Sequence, residues 1–372
     1  MPNSARILHF PVRHSVKRAS QEEAVALAVR YADPNVDWTA QEENEAFSDI
    51  EILFAISTLL YQRRDSNPKL ASERATRVYR WLSATEQNPG LFDERDYLLG
   101  ESALTVAESS RQLGMHSECD RWLDRAEASF RHTLNPAPKL SEVAYLRLAL
   151  KYDQRRYDDV VEFAPGLAQS FAKLEMRKEF LKTRFMRAMA IKGAGDWHAS
   201  HDEFTKLAAE LDASRDPMLL GQVLVEIGSF QGNTGNVAQA LSNYQTALGL
   251  LRTVNHPMLL AHLKATVAET LFLSSRFEES LSGYRDAITD YASLGMDTQV
   301  AYVRLLLADA LLIVGHYREA EWEILAALPT IEEQKMVPEG FAAVALLKES
   351  VRRRKTDPNA LRELREHLQA NQ

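Results

Sequence analysis

His198 and His201, three residues apart in Trp-His-Ala-Ser-His, are the one close pair whose spacing could bring two imidazoles to a metal ion. No His-Glu-x-x-His arrangement accompanies them. They stand just after a Gly-Asp turn, so a solvated helix start is the preferred reading. Gly193 and Gly195, in Ile-Lys-Gly-Ala-Gly-Asp, lack the preceding strand and the following Gly-Lys-Ser/Thr of a phosphate loop. Cys119 occupies a position that calls for a small buried residue, not a reactive thiol. No Gly-x-Ser-x-Gly elbow occurs, and no carboxylate pair stands out from ordinary helix-surface charge. The sequence thus offers no catalytic centre, metal site or cofactor site, and the expectation is a protein that is not an enzyme. A basic cluster, Arg352-Arg-Arg-Lys355 with Arg362 and Arg365, has no interleaved aromatics for stacking on bases. It reads as a solvated helix end, with contact to nucleic acid or an acidic partner as the alternative.

Composition narrows the class further. Of 372 residues, 45% are hydrophobic and 26% charged, which suits a core-forming chain and is too apolar for a disordered one. Only 15 Gly and 13 Pro are present, which argues against a turn-rich all-β architecture. A single Cys excludes an internal disulfide and a Cys-based zinc site, and fits a reducing compartment. No apolar run reaches the ~18–20 residues a spanning helix needs, so the expected location is the cytoplasm. The net charge is −8, yet the first twenty residues carry Arg6, Arg13, Lys17 and Arg18 without an acid. The acidic remainder disfavours nucleic acid as a partner. Residues 1–18 read as a basic arm with a few apolar anchors (Ile7, Leu8, Phe10, Val12) and lack the features of a secretory signal.

The elements that would position any site follow from an internal repeat. Gly195-Asp-Trp-His-Ala-Ser200, Gly235-Asn-Val-Ala-Gln-Ala240, Ser275-Arg-Phe-Glu-Glu-Ser280 and Gly315-His-Tyr-Arg-Glu-Ala320 recur every forty residues without an insertion. In the same register stand small residues (Ala188, Gly228, Ala268, Ala308), large ones (Phe204, Tyr244, Tyr284, Ile324) and a further set (Leu207, Ala247, Ala287, Ala327). Gly or Ser at the turn supplies left-handed backbone, and the small residues let two helices approach closely. The large residues fill the hole between neighbouring units. Apolar spacing of i, i+3, i+4, i+7 marks amphipathic helices, and no strand pattern appears.

The pattern resembles the tetratricopeptide repeat, most closely in VEIGSFQGNTGNVAQALSNYQTALGLL (225–251), although Gln231 replaces the family's first-helix aromatic. With a period longer than the family's common 34 residues, it is similar to the long repeats of MalT-like bacterial transcriptional activators. The resemblance covers about 177–333. It implies an all-α, right-handed solenoid of antiparallel helix pairs that binds a protein or peptide in a concave groove. Upstream the register weakens: Arg155 stands where the turn glycine would be, Gly114 and Cys119 mark an earlier unit, and Ala75 and Tyr79 an earlier one still. Helices are expected at about 42–62 and 70–84 around Asp65-Ser-Asn-Pro68. Capping boxes are expected at Ser20-x-x-Glu23 and Thr39-x-x-Glu42. A last pair would be Glu339–Lys355 and Asp357–Gln369, with Leu361, Leu364 and Leu368 in one stripe. The expected organisation is a basic arm (1–18) and one solenoid (19–372) of seven or eight helix pairs. Within it, 19–135 are degenerate helices, 136–335 regular repeats and 336–372 capping helices.

In this family the inner face of each first helix lines the groove. Counting units from 141, 181, 221, 261 and 301, that face falls at the second, fifth, ninth and twelfth positions. It comprises Glu142, Tyr145, Ala149 and Tyr152; Lys182, Phe185, Met189 and Lys192; Gln222, Val225, Ser229 and Gly232; His262, Ala265, Glu269 and Phe272; Tyr302, Leu305, Asp309 and Leu312. The candidate partner residues are Tyr145, Tyr152, Phe185, Met189, Gln222, Ser229, His262, Glu269, Tyr302 and Asp309. The Lys and Asn clamp with which the family's chaperone-tail binders hold a terminal carboxylate is not evident. Apolar anchors beside Glu269 and Asp309 suit an amphipathic or basic peptide or helix, though any apolar member can equally pack against a neighbouring helix. The alternative function is a regulatory sensor or adaptor that answers a peptide or small effector and acts through a partner protein.

Overall fold

The computed structural model describes residues 19–64, 67–84, 94–334 and 336–356. The basic arm 1–18, Asp65 and Ser66, and the expected final helix with Asp357, Pro358, Leu361, Arg362, Leu364, Arg365 and Leu368 lie outside the described residues. The chain divides into two compact units, Met1–Ala190 and Ile191–Gln372. Unit 1 holds α1 (Gln21–Tyr31), α2 (Ala40–Phe47), α3 (Ile50–Arg63), α4 (Pro68–Ala84), α5 (Arg95–Gln112), α6 (His116–Phe130), α7 (Ala137–Asp153), α8 (Tyr157–Lys173) and most of α9 (Arg177–Gly193). Unit 2 holds α10 (Trp197–Glu210), α11 (Pro217–Asn233), α12 (Val237–Thr253), α13 (Pro257–Leu273), α14 (Phe277–Ser293), α15 (Asp297–Val314), α16 (Tyr317–Glu333) and α17 (Val337–Thr356). No strand occurs among the described residues.

The forty-residue period resolves into two helices of 17 residues, each followed by a three-residue turn, as α11–α14 show. The turn inside each pair is left-handed where the register requires it: Gly195 (φ 98°), Gly235 (86°), Ser275 (63°) and Gly315 (88°). The same holds upstream at Gly114 (71°) and at Arg155 (60°), which adopts the glycine conformation despite its side chain. Between pairs, Glu175, Asn255 and Gly295 repeat it half a period later. One helix departs: α10 stops after 14 residues, and a loop closed by Asp212 replaces its last turn, its Oδ1 accepting from the Ser214 and Arg215 N–H groups at 2.8 and 3.1 Å. The loop keeps the residue count, so the register survives.

The repeat's packing positions are all core. Ala188, Ala268, Ala308, Ala240, Ala247, Ala287, Ala320, Ala327, Phe204, Leu207, Tyr244, Tyr284 and Ile324 are buried, with Ser200 and Ser280. A Cβ on Gly228 would lie 2.6 Å from the Tyr244 ring, so the aromatic of the second helix occupies the space that glycine leaves on the first. Tyr244 Oη is 2.9 Å from Thr270 Oγ1 of the next unit. Gln231, where the family has an aromatic, accepts from Asn243 Nδ2 at 2.7 Å, a polar bond in place of an apolar contact.

Unit 1 is organised by large aromatics. Tyr31 meets Trp38 and Phe47 edge-on at 5.1 and 5.4 Å, Phe47 meets Trp81 at 5.8 Å, and Tyr79 meets Trp122 at 5.0 Å. Both capping boxes form, at Ser20 with Glu23 and at Thr39 with Glu42. The helix expected at about 42–62 is two helices. Asp49 breaks it, accepting from the Glu51 and Ile52 N–H groups at 2.9 and 3.4 Å to cap α3, while its Oδ2 accepts from Ala19 N at 2.7 Å. The helical spacing of Ala46, Phe47, Ile50 and Leu53 continues across Ser48-Asp49 and hides the break.

Candidate functional site

Within unit 2, consecutive first helices touch, α11 against α13, α13 against α15 and α15 against α17, whereas consecutive second helices have no comparable contact. Hairpins packed more closely on one side bend toward it, so the first-helix face of this unit is its concave side. The candidate positions sort into two stripes on that face. The fifth and twelfth positions turn into the seam between neighbouring helices: Val225, Ala265, Leu305 and Leu312 are buried, as is Gly232, where a Cβ would lie 2.7 Å from Thr270 Oγ1. The second and ninth look outward. His262, Tyr302 (49% exposed) and Asp309 are exposed, and Glu269 and Gln222 half-buried, while Ser229 is buried at 8%.

Desolvation acts on these outward groups although they keep exposed surface, as expected on a concave wall. It pushes the carboxyls of Glu269 and Asp309 and the hydroxyl of Tyr302 up from their ordinary values and holds His262 down. Glu226 and Lys192 are the charged groups that face both His262 and Glu269, and Arg353 is the one that faces Asp309. Buried Tyr284 senses Glu269, Tyr302 and Asp309 together, which places all three around one ring. Lys192 is taken by Glu226 at 2.7 Å. Glu269 and Asp309 have no hydrogen bond or ion pair among the described residues. These are partly desolvated carboxyl groups on which Lys192 and Arg353 act through space, without a bond to either among the described residues.

Unit 1 arranges the corresponding face differently. Lys139 Nζ sits 2.8 Å from Glu101 and 2.8 Å from Glu142. Arg111 forks onto Glu108 at 2.9 and 3.0 Å and also reaches Asp153. Burial alone would raise Glu108, but Arg111 and Arg64 hold its carboxyl below the ordinary range. Tyr145 lies beside this network, half-buried, its hydroxyl pushed up to about 12 by burial and then by Glu108. It also packs on Phe171 at 6.5 Å, and Tyr152 on Tyr157 at 5.4 Å. Phe185 and Met189 are half-buried on α9. Spacing singled out Glu142 but not this network, whose other members join the regular helix α7 to the degenerate helix α5, where the register is faint.

The remaining candidates are structural. His201 stacks on Phe230 at 4.1 Å, His198 meets the same ring edge-on at 5.2 Å, and desolvation lowers His201. No group of three or more His, Cys, Asp or Glu side chains that could hold a metal occurs among the described residues. Cys119 is fully buried, and burial pushes its thiol up to about 12, which leaves it unreactive. Arg352 and Arg353 pair with Glu349, and Arg354 with Glu321. No helix among the described residues is long and apolar enough to cross a membrane.

Helix hairpins of this kind define an all-α solenoid of tetratricopeptide-like pairs. Solved structures agree. A Rap conjugation gene regulator of plasmid pLS20, in complex with the Phr* peptide, superposes with a TM-score of 0.61 at 11% identity, over 82% of this chain and 79% of that one. A Rap protein complexed with competence and sporulation factor gives 0.55 at 11% identity, over 91% and 98%. A signal-transduction ATPase with a tetratricopeptide repeat sensor, from Pyrococcus horikoshii, gives 0.56 at 14% identity, over 94% and 52%. At such identities the likeness is one of fold. No family model and no curated protein matches the sequence.

Proposed function

We propose that the chain is a non-catalytic peptide-binding scaffold of the cytoplasm, and that the concave face of unit 2 receives a basic amphipathic peptide or helix. The observation that carries this reading is the pair of partly desolvated carboxylates, Glu269 and Asp309, without a bonded partner among the described residues and set beside exposed Tyr302 and His262. A ligand Lys or Arg would pair with them directly, and its apolar side would cover the tyrosine. Lys192 is engaged with Glu226, which speaks against a clamp for a peptide's own carboxylate at that position.

A second reading, a regulatory sensor that answers a peptide and acts through a partner protein, draws support from two fold neighbours solved with peptides bound. The long repeat period, similar to that of MalT-like activators, points the same way. The two readings share one ligand surface. Fluorescence anisotropy with a labelled Leu/Lys amphipathic peptide tests it on the full chain. Binding is expected for the native protein and should weaken at least tenfold in Glu269→Lys/Asp309→Lys, with the melting curve of the variant confirming its fold. Equal affinity in the folded variant rejects the assignment, as does equal binding of a Leu/Glu peptide.

A further inference from the structure

On the second helices of unit 1, α4 and α6 flank a cavity of 430 Å³ lined by Thr76, Tyr79, Arg80, Ser83, Trp122 and Arg125. That volume lies within the range of small-ligand sites. The cavity follows from the construction of the stack: α3 touches α5 on the first-helix side, while α4 and α6 have no comparable contact and are bridged by the Tyr79–Trp122 ring pair at 5.0 Å.

Its chemistry is set by two arginines. Arg125 lies over the Trp122 ring at 4.2 Å and near Tyr79 at 5.9 Å. Aromatic stacking fixes the plane of a guanidinium without using its N–H donors. Neither Arg80 nor Arg125 has an ion pair or hydrogen bond among the described residues, and no acid lines the cavity. Most other arginines of this unit are engaged: Arg30 with Glu42, Arg77 with Glu43, Arg111 with Glu108, and Arg147 with Asp120, Asp124 and Glu127. The hydroxyls of Thr76 and Ser83 donate to the Ser72 and Tyr79 carbonyls at 2.8 Å each, so the donors left to a ligand are the guanidinium N–H groups and the Tyr79 hydroxyl. Two positive charges without an ion pair among the described residues, facing one cavity in an otherwise acidic chain, call for a ligand of about two negative charges. A carboxylate brings one; a phosphate monoester brings about −1.5 to −2 at pH 7, with oxygens that match the arginine fork.

We propose that this cavity binds a phosphate monoester, held between the guanidiniums of Arg80 and Arg125. The group could be carried by a small metabolite or by a phosphorylated side chain, and the probes separate these sources. Isothermal titration of the full chain with phenyl phosphate and with an N-acetyl, C-amidated Gly-phosphoserine-Gly tripeptide should give saturable binding of at least one. Tighter binding of the first assigns a small aryl phosphate, of the second a modified side chain. Arg80→Gln and Arg125→Gln should each weaken binding at least tenfold and the double variant abolish it. Arg121→Gln, also on α6 but outside the cavity lining, should leave it unchanged. Because Arg80 and Arg125 are exposed, their variants should keep the native melting temperature, which separates lost binding from lost fold. Absence of saturable binding by both esters, full binding by the double variant, or benzoate binding as tightly as phenyl phosphate overturns the proposal.

Discussion

The first-helix faces of the two units carry similar residues and treat them in opposite ways. In unit 1 the acids Glu101, Glu108, Glu142 and Asp153 are matched by Lys139 and Arg111 within hydrogen-bond distance. In unit 2 Glu226 is matched by Lys192, but Glu269 and Asp309 have no hydrogen bond or ion pair among the described residues. A desolvated charge neutralised internally holds structure together, whereas one left unneutralised costs stability that a bound cation can return. The first arrangement suits a scaffold, the second a ligand surface.

Breaking the paired side should have the largest effect. Lys139→Met leaves Glu101 and Glu142 facing each other in a half-buried site, and a loss of about 3–5 kcal/mol in urea unfolding is expected. A loss below about 1 kcal/mol would mean the network is surface decoration. Gly228→Ala comes next. Its methyl would overlap the Tyr244 ring, costing about 1–3 kcal/mol, while Gly249→Ala, where a Cβ meets nothing within 4 Å, should cost nothing or stabilise α12 slightly. Similar losses at both positions would contradict the close approach of α11 and α12.

The unpaired side should respond in the other direction. Burial raises Glu269 above its unfolded value, so this group favours the folded state less as pH rises from below the ordinary carboxylate range through its folded value. Glu269→Gln should therefore raise the melting temperature slightly at pH 7, and the gain should vanish in acid, where the native side chain is protonated too. Affinity for a basic peptide should fall, as pH is lowered, at values above those of an ordinary carboxylate. In contrast, Glu142→Gln should leave peptide affinity within twofold, because its partner lies within the protein. A melting temperature that drops in Glu269→Gln would show that an internal cation partners this group after all.

Much of this architecture is legible in the residues, and the illegible parts share a cause. The turns at Gly195, Gly235, Ser275 and Gly315 and the small-against-large packing of Gly228 with Tyr244 are local demands that recur, so the sequence displays them. Arg155 could be placed by register alone, even without a glycine. The left-handed Glu175 could not, since nothing in its type signals the conformation, whereas Asn255 is of a type that tolerates it. The break at Asp49 is concealed because the helical spacing of Ala46, Phe47, Ile50 and Leu53 runs across it. Within the candidate surface, spacing identified the first-helix face but not its division into a buried stripe at Val225, Ala265 and Leu305 and an open one at His262, Glu269, Tyr302 and Asp309. That division depends on the direction in which neighbouring helices lean, which is a tertiary property. Likewise, the pairing of Lys139 with Glu101 joins α5 to α7, and no repeat position announces it.

The most direct test is to map where a basic amphipathic peptide lies. A Leu/Lys peptide carrying a single benzoylphenylalanine, photo-crosslinked to the full chain and analysed by peptide mass mapping, should place its adducts on α13 and α15. Those adducts should cluster around Glu269, Tyr302 and Asp309 and disappear in Glu269→Lys/Asp309→Lys. Adducts confined to α12, α14 and α16, or unchanged in the variant, would contradict the assignment of this concave face as the ligand surface.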